Sequence, residues 1–131
     1  LTDKQPYSFR AAWLLCLTIK RNDPRLRSFV PEIISVLPLI KYSQQRQLLI
    51  ILQQMEIPQE LEGQLFDLCM TLWENTRNQQ SVRSNALKIM LLIAKKYPEL
   101  QDEIHHLTDD RYLENFSHGI RHSVTLMIQK I

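Results

Sequence analysis

The sequence is short of glycine, the residue on which tight β-hairpin turns depend. Glycine occurs only 2 times in 131 residues, and no Asn-Gly or Asp-Gly pair is present. A sheet of several strands usually needs such pairs at its turns. Their absence argues against an all-β architecture and favours helices.

Long hydrophobic runs are missing too. The longest fully apolar run covers residues 11–17, far below the roughly 18 residues that a membrane-spanning helix requires. The sequence therefore predicts no membrane span and no membrane partner.

Cysteine is scarce, with Cys16 and Cys69 as the only two. Both lie within apolar segments, where a thiol behaves as a small hydrophobic side chain. We expect both to be reduced core residues, which favours an intracellular, cytoplasmic location.

Excess charge of either sign is also lacking. The net charge is +2, too small to indicate a polyanionic partner unless the basic residues gather on one surface. Hydrophobic residues make up 44% and charged residues 23% of the chain, which is typical of a folded globular protein. For this length we expect residues 1–131 to form a single domain.

Apolar periodicity and helix-breaking residues divide the chain into about seven predicted helices. Their approximate ranges are 7–21, 24–37, 43–55, 58–74, 81–97, 98–109 and 115–130. Pro24, Pro58 and Pro98 each begin a predicted helix, where the missing N–H of proline costs nothing. Pro31 lies inside the second predicted helix and is expected to kink it.

Four of these helices, the first, third, fifth and seventh, share an arginine near their start, and we call them the Arg-led helices. The arginines are Arg10, Arg46, Arg83 and Arg121, at spacings of 36, 37 and 38 residues. Three residues after each arginine lie Trp13, Leu49, Ala86 and Val124, and six residues after it lie Cys16, Leu52, Ile89 and Met127. Such a register indicates a repeat whose units bury apolar faces on their neighbours.

The segments that carry this register resemble a known repeat family. FVPEIISVLPLI, followed by a turn and an Arg-led helix, resembles a HEAT repeat, and SVRSNALKIMLLIAKKYPEL resembles the second helix of one repeat running into the next. The resemblance implies an all-α fold, a short right-handed αα-superhelix of three to four units. It places a leading half-unit at about 7–21 and further units at about 24–55, 58–97 and 98–131.

One position departs from the family pattern. HEAT repeats usually carry an aspartate six residues before the arginine, and those positions here are Lys4, Ile40, Arg77 and Asn115. An armadillo-like superhelix and a closed helical bundle therefore remain alternatives.

Charge is segregated between the helices. The Arg-led helices contain no Asp or Glu, whereas the fourth and sixth predicted helices hold most of the acids. In a HEAT-like solenoid the second helix of each unit lines the concave surface, so the resemblance implies a mildly basic groove. Helix-end electrostatics explain half of the basic set, since Lys20, Arg21, Lys95, Lys96 and Lys130 fall at helix C-termini.

The candidate ligand-facing residues come from the Arg-led helices. Positions five residues after each arginine are Leu15, Ile51, Lys88 and Leu126. This mostly apolar row predicts a protein or peptide partner, possible self-association included, with burial against a neighbouring helix as the alternative for each apolar member.

Nucleic acid is the less favoured partner. The cations that can be placed near one another are Arg83, Lys88, Arg121 and His122, and no aromatic residues alternate with them to stack on bases. The predicted ligand-facing set is Leu15, Ile51, Arg83, Lys88, Arg121, His122 and Leu126. The predicted function is a non-catalytic protein-interaction or scaffold module that binds through the Arg-led helices. Weak nucleic-acid binding through a basic groove is the alternative, and a relative of HEAT-like DNA glycosylases is a less favoured one.

Signals for catalysis and metal binding are lacking. Neither a glycine-rich phosphate loop nor a nucleophile elbow is present. Some HEAT-like proteins are DNA glycosylases that use an aspartate on the concave surface, but the Arg-led helices contain no acid. His118 and His122 share one side of a helix, yet two imidazoles without a third ligand do not make a zinc site. The sequence predicts no enzyme, no catalytic residue, no cofactor and no metal.

The arginines also have a structural interpretation. If Arg83 bonds to carbonyls or acids of an adjacent helix, its replacement by alanine should lower stability by roughly 1–3 kcal/mol. Trp73 is expected to pack in the core with its indole N–H on a backbone carbonyl.

Overall fold

The computed structural model describes residues 29–130, and every secondary-structure element within them is helical. Its elements are α1 (Val30–Val36), a 3₁₀ turn (Leu37–Leu39), α2 (Tyr42–Gln53), α3 (Gln59–Glu74), α4 (Gln80–Ala94), α5 (Pro98–His106), α6 (Asp110–Leu113) and α7 (His118–Gln129). The all-α prediction is confirmed. The predicted leading helix at 7–21, which includes Arg10, Trp13, Leu15 and Cys16, lies outside the described residues.

By compactness the chain divides into two units, one up to Leu65 and one from Phe66. In the first unit the 3₁₀ turn packs against both α1 and α2. In the second unit α4 is the central helix and contacts both α5 and α7. Ten residues of α4 are buried, which makes it the core of this unit.

Pro31 begins a helix and does not kink one. Phe29 is the N-cap of α1, so Pro31 lies in the first turn, where its missing N–H breaks no intrahelical hydrogen bond. The predicted kink within a helix over 24–37 is therefore wrong for the described residues. The helix begins at Val30 and tightens into the 3₁₀ turn at Leu37, near Pro38.

The sixth predicted helix, 98–109, ends earlier than predicted, and a separate short helix follows it. α5 ends at His106, and Asp109 caps α6 by accepting the Arg111 backbone N–H at 3.0 Å on its carboxylate. An aspartate is one of the preferred residues for this N-cap role. Asn115, predicted to begin the last helix, instead donates its side-chain amide to the Thr76 carbonyl at 3.0 Å.

The repeat register is confirmed at its apolar positions. The residues three after the arginines, Leu49, Ala86 and Val124, are all completely buried. Six after the arginines, Leu52 and Ile89 are each 2% exposed, whereas Met127 is only partly buried. The first position is buried in all three described Arg-led helices and the second in two of them, which supports the equivalences drawn from the sequence.

One hydrogen bond aligns α4 with α7. The Ser117 backbone N–H, just before α7, donates to Oε1 of Gln80, the first residue of α4, at 2.6 Å. The two residues are 37 positions apart, one fewer than the 38 between Arg83 and Arg121. Since the helices also contact each other, α4 and α7 start side by side.

Gly63 in α3 gives a test of the helical assignment. It is exposed, and a Cβ at this position would meet nothing within 4 Å. We expect Gly63→Ala to raise the free energy of unfolding by about 0.5–1 kcal/mol in urea denaturation, because alanine loses less backbone entropy on folding. Gly119→Ala, in the first turn of α7, serves as a control with a smaller gain. A destabilised Gly63→Ala variant would contradict the assignment.

Candidate functional site

Arg83 is fully buried in the second unit, at 0% exposure. Its Nε donates to the Trp73 carbonyl at 2.9 Å and its Nη2 to the Tyr112 carbonyl at 2.6 Å. Both carbonyls belong to the last turn of a helix, α3 and α6 respectively, where backbone oxygens have no intrahelical partner. Arg83 therefore caps two helix C-termini, the ends at which the helix dipole favours a cation.

Two aromatic rings complete the environment of this guanidinium. Its Cζ lies 4.7 Å from the ring centroid of Trp73 and 4.4 Å from that of Phe116. The Trp73 indole N–H donates to the Leu107 carbonyl at 2.7 Å, as the sequence predicts for this tryptophan. Ring faces attract cations, and the attraction strengthens when water is excluded.

The Arg83 guanidinium is therefore charged, hydrogen-bonded and inaccessible to solvent. Burial lowers the pKa of Arg83, yet guanidinium groups stay protonated in proteins. Among residues 29–130 no buried side-chain nitrogen or oxygen lacks a hydrogen-bond partner. The prediction that Arg83 faces a ligand is wrong, because a side chain with no exposed surface cannot contact one. Its structural interpretation is confirmed, with carbonyls and aromatic rings in place of the family's aspartate.

The equivalent arginines have different surroundings. Arg46 in α2 is exposed. Arg121 in α7 is also exposed and lies 3.6 Å from an Asp110 oxygen, in a pair whose side chains are 45% and 95% exposed. An ion pair this open contributes little to stability. Only one of the three described register arginines is therefore a core residue.

The remaining predicted ligand-facing residues fall into three groups. Ile51 is 1% exposed, so it packs inside the first unit and its predicted ligand-facing role is wrong. Leu15 lies outside the described residues. Lys88, Arg121, His122 and Leu126 are exposed, and all four belong to α4 or α7.

A two-helix surface emerges in the second unit, which we call the α4–α7 face. It consists of the exposed residues Lys88, Leu92, Lys95, His122, Leu126 and Lys130. Leu92 and Leu126 are 45% and 46% exposed. Leu92 escaped the sequence prediction because it lies within an apolar run, although its position four residues after Lys88 places both on one side of the helix.

The α4–α7 face belongs to an acid-free layer of helices. None of the 14 acidic residues lies in α2, α4 or α7, whereas α3 and α5 together carry Glu60, Glu62, Asp67, Glu74, Glu99, Asp102 and Glu103. The described part of the chain thus retains the charge segregation seen in the sequence. Asp110, beside Arg121, is the acid that reaches α7.

The described residues do not form a metal or nucleophilic centre. His118 and His122 are exposed on α7, and within residues 29–130 no three His, Cys, Asp or Glu side chains are grouped to hold a metal ion. Cys69 is a buried thiol whose pKa is raised by desolvation, so it stays protonated and is not a nucleophile. Of the helices that the structure describes, none is long and apolar enough to cross a membrane.

The described helices bury equivalent positions, and α4 and α7 start side by side. These features are typical of an α-helical repeat protein. The family model of the HEAT repeat domain matches residues 1–131, and the chain belongs to the HEAT repeat family. No curated protein and no solved structure matches it. HEAT repeats generally mediate protein–protein interaction or scaffolding, and the family is typically non-catalytic.

Proposed function

We propose that this protein is a non-catalytic interaction module that binds a protein partner through the α4–α7 face. The observation that carries the proposal is the exposure of Leu92 and Leu126. Leu92 points outward from a run in which Met90, Leu91 and Ile93 are buried. Leu126 occupies a similar outward position two residues after the buried Val124.

Burial of the two leucines would supply the apolar centre of an interface. A leucine gains about 1.5–3 kcal/mol when it moves from full exposure to full burial. Each of these side chains is about half exposed, so a partner that covers it recovers roughly half of that gain. The polar and cationic residues around the leucines form the kind of rim that surrounds an interface core.

Nucleic-acid binding has less support than protein binding. Arg83, one of the four cations that favoured it, is buried, and Arg121 already lies beside Asp110. Phosphate binding usually depends on several contiguous free cations. Catalysis as a DNA glycosylase lacks its acid on every described Arg-led helix.

A peptide-display selection tests the proposal. Clones enriched on the wild-type protein are expected to lose at least about tenfold in affinity for the Leu92→Ser/Leu126→Ser variant, equivalent to about 1.4 kcal/mol. Both substitutions are at exposed positions, so circular dichroism should show an unchanged melting curve.

Leu39→Ser is the matched control, because Leu39 is 77% exposed and lies outside the α4–α7 face. Clones that bind the double variant as tightly as the wild type would overturn the proposal. So would clones that lose as much affinity on Leu39→Ser.

A further inference from the structure

We propose that the partner of the α4–α7 face presents an acidic amphipathic segment, in which carboxylates alternate with large apolar side chains. This inference rests on the proposed function, since it names the chemistry of the partner at that same surface.

Each helix contributes a similar stripe to the face. In α4 and its C-cap the stripe is Lys88, Leu92 and Lys95, and in α7 and its C-cap it is His122, Leu126 and Lys130. Spacings of three and four residues keep the members of each stripe on one side of the helix. Every leucine is therefore preceded by a basic side chain and followed by a lysine.

The same alternation of basic and apolar residues is found between α4 and α7. The repeat register of Arg83 and Arg121 has an offset of 38 residues, which makes Lys88 and Leu126 equivalent positions. By the same offset Leu92 is equivalent to Lys130. Cationic and apolar positions thus alternate across the two helices as well as along them.

Among the described residues 29–130, no carboxylate is paired with the exposed lysines of the face. Salt bridges join Arg111 to Asp109 and Arg121 to Asp110, and Lys88, Lys95 and Lys130 take part in neither. A partner's carboxylates would meet these ammonium groups without displacing an existing ion pair. Such complementarity directs partner choice and orientation more than it adds affinity.

The leucines decide between an acidic protein segment and a nucleic acid. A phosphate backbone offers no apolar group to cover Leu92 and Leu126, which would stay in water. The sequences of α4 and α7 also contain no Phe, Tyr or Trp on which bases could stack. An acidic segment with interspersed apolar residues satisfies both the lysines and the leucines.

The test uses three short fluorescent peptides with identical leucine positions and with Glu, Gln or Lys at the remaining positions, together with a short DNA duplex. Binding is measured by fluorescence anisotropy at low and high salt. An exposed ion pair contributes about a two- to fivefold change in affinity, so we expect the Glu peptide to bind at least about tenfold tighter than the Gln peptide. The Lys peptide should be the weakest, and added salt should reduce the preference.

A charge-reversal variant tests whether the preference for the Glu peptide arises from the lysines of the α4–α7 face. Lys88→Glu/Lys95→Glu should bring binding of the Glu peptide down to the level of the Gln peptide. Lys41→Glu is the matched control, because it reverses an exposed lysine that lies outside the face.

The outcomes separate this inference from the proposed function. Equal binding of the Glu and Gln peptides, lost in Leu92→Ser/Leu126→Ser, would overturn the acidic partner and leave protein binding intact. Binding of DNA but of no peptide would overturn both. Concentration-dependent self-association by light scattering, abolished by Lys88→Glu/Lys95→Glu, would make a second copy the occupant and overturn a separate partner.

Discussion

Replacement of Arg83 with alanine is expected to lower the free energy of unfolding by about 3–5 kcal/mol, more than the sequence alone suggested. The substitution removes the donors to the Trp73 and Tyr112 carbonyls, and a buried carbonyl left without a partner costs about 1–3 kcal/mol. It also leaves a cavity between the Trp73 and Phe116 rings, and cavities add to the loss. Urea denaturation followed by circular dichroism measures the effect.

Arg46→Ala is the matched control for this prediction. Arg46 has the same register in the repeat but is exposed, so its loss should change stability by less than about 0.5 kcal/mol. Arg83→Lys should be intermediate, because an ammonium group cannot reproduce the two-pronged geometry of the guanidinium. Equal effects at Arg46 and Arg83 would contradict the structural role assigned to Arg83.

Trp73→Ala is expected to cost a similar amount, about 3–5 kcal/mol. Trp73 is completely buried, stacks against Phe116 with ring centroids 5.6 Å apart, and covers one face of the Arg83 guanidinium. Thermal and urea unfolding should both show the loss.

Trp73→Phe separates the ring from its hydrogen bond. Phenylalanine keeps an aromatic face for Arg83 but removes the donor to the Leu107 carbonyl, so about 1–2 kcal/mol should be lost. In a double-mutant cycle the losses from Trp73→Ala and Arg83→Ala should not add, because the two side chains are in contact. Strict additivity would show that the ring does not support the arginine.

The repeat could be predicted from the sequence because apolar residues recur at fixed distances from each arginine. Leu49, Ala86 and Val124 were identified as equivalent by spacing alone, and all three are completely buried. The surroundings of each arginine side chain could not be predicted from this spacing. Arg46 and Arg83 share a register, yet Arg46 is exposed whereas Arg83 contacts two helix C-termini and two aromatic rings. Those partners come from other segments of the chain.

The candidate surface was predictable in part for the same reason. Helical periodicity identified Leu126 and Lys88 as outward positions, and both are exposed. It failed at Ile51, which occupies the same register but is covered within its own unit. Leu92 was not predicted to be exposed, because it lies in a continuous apolar run in which helical periodicity does not separate outward from inward positions.

The position of Arg83 in the chain also bears on how the protein is synthesised. One carbonyl partner, Trp73, lies 10 residues earlier, but the other, Tyr112, lies 29 residues later. When α4 emerges from the ribosome, the Trp73 carbonyl is already available to Arg83, but the Tyr112 carbonyl has not yet been synthesised. Burial of α4 before Tyr112 and Phe116 emerge would leave part of the guanidinium without its partners, which opposes premature docking of α4. The arginine thereby couples folding of this helix to completion of the helices that follow it.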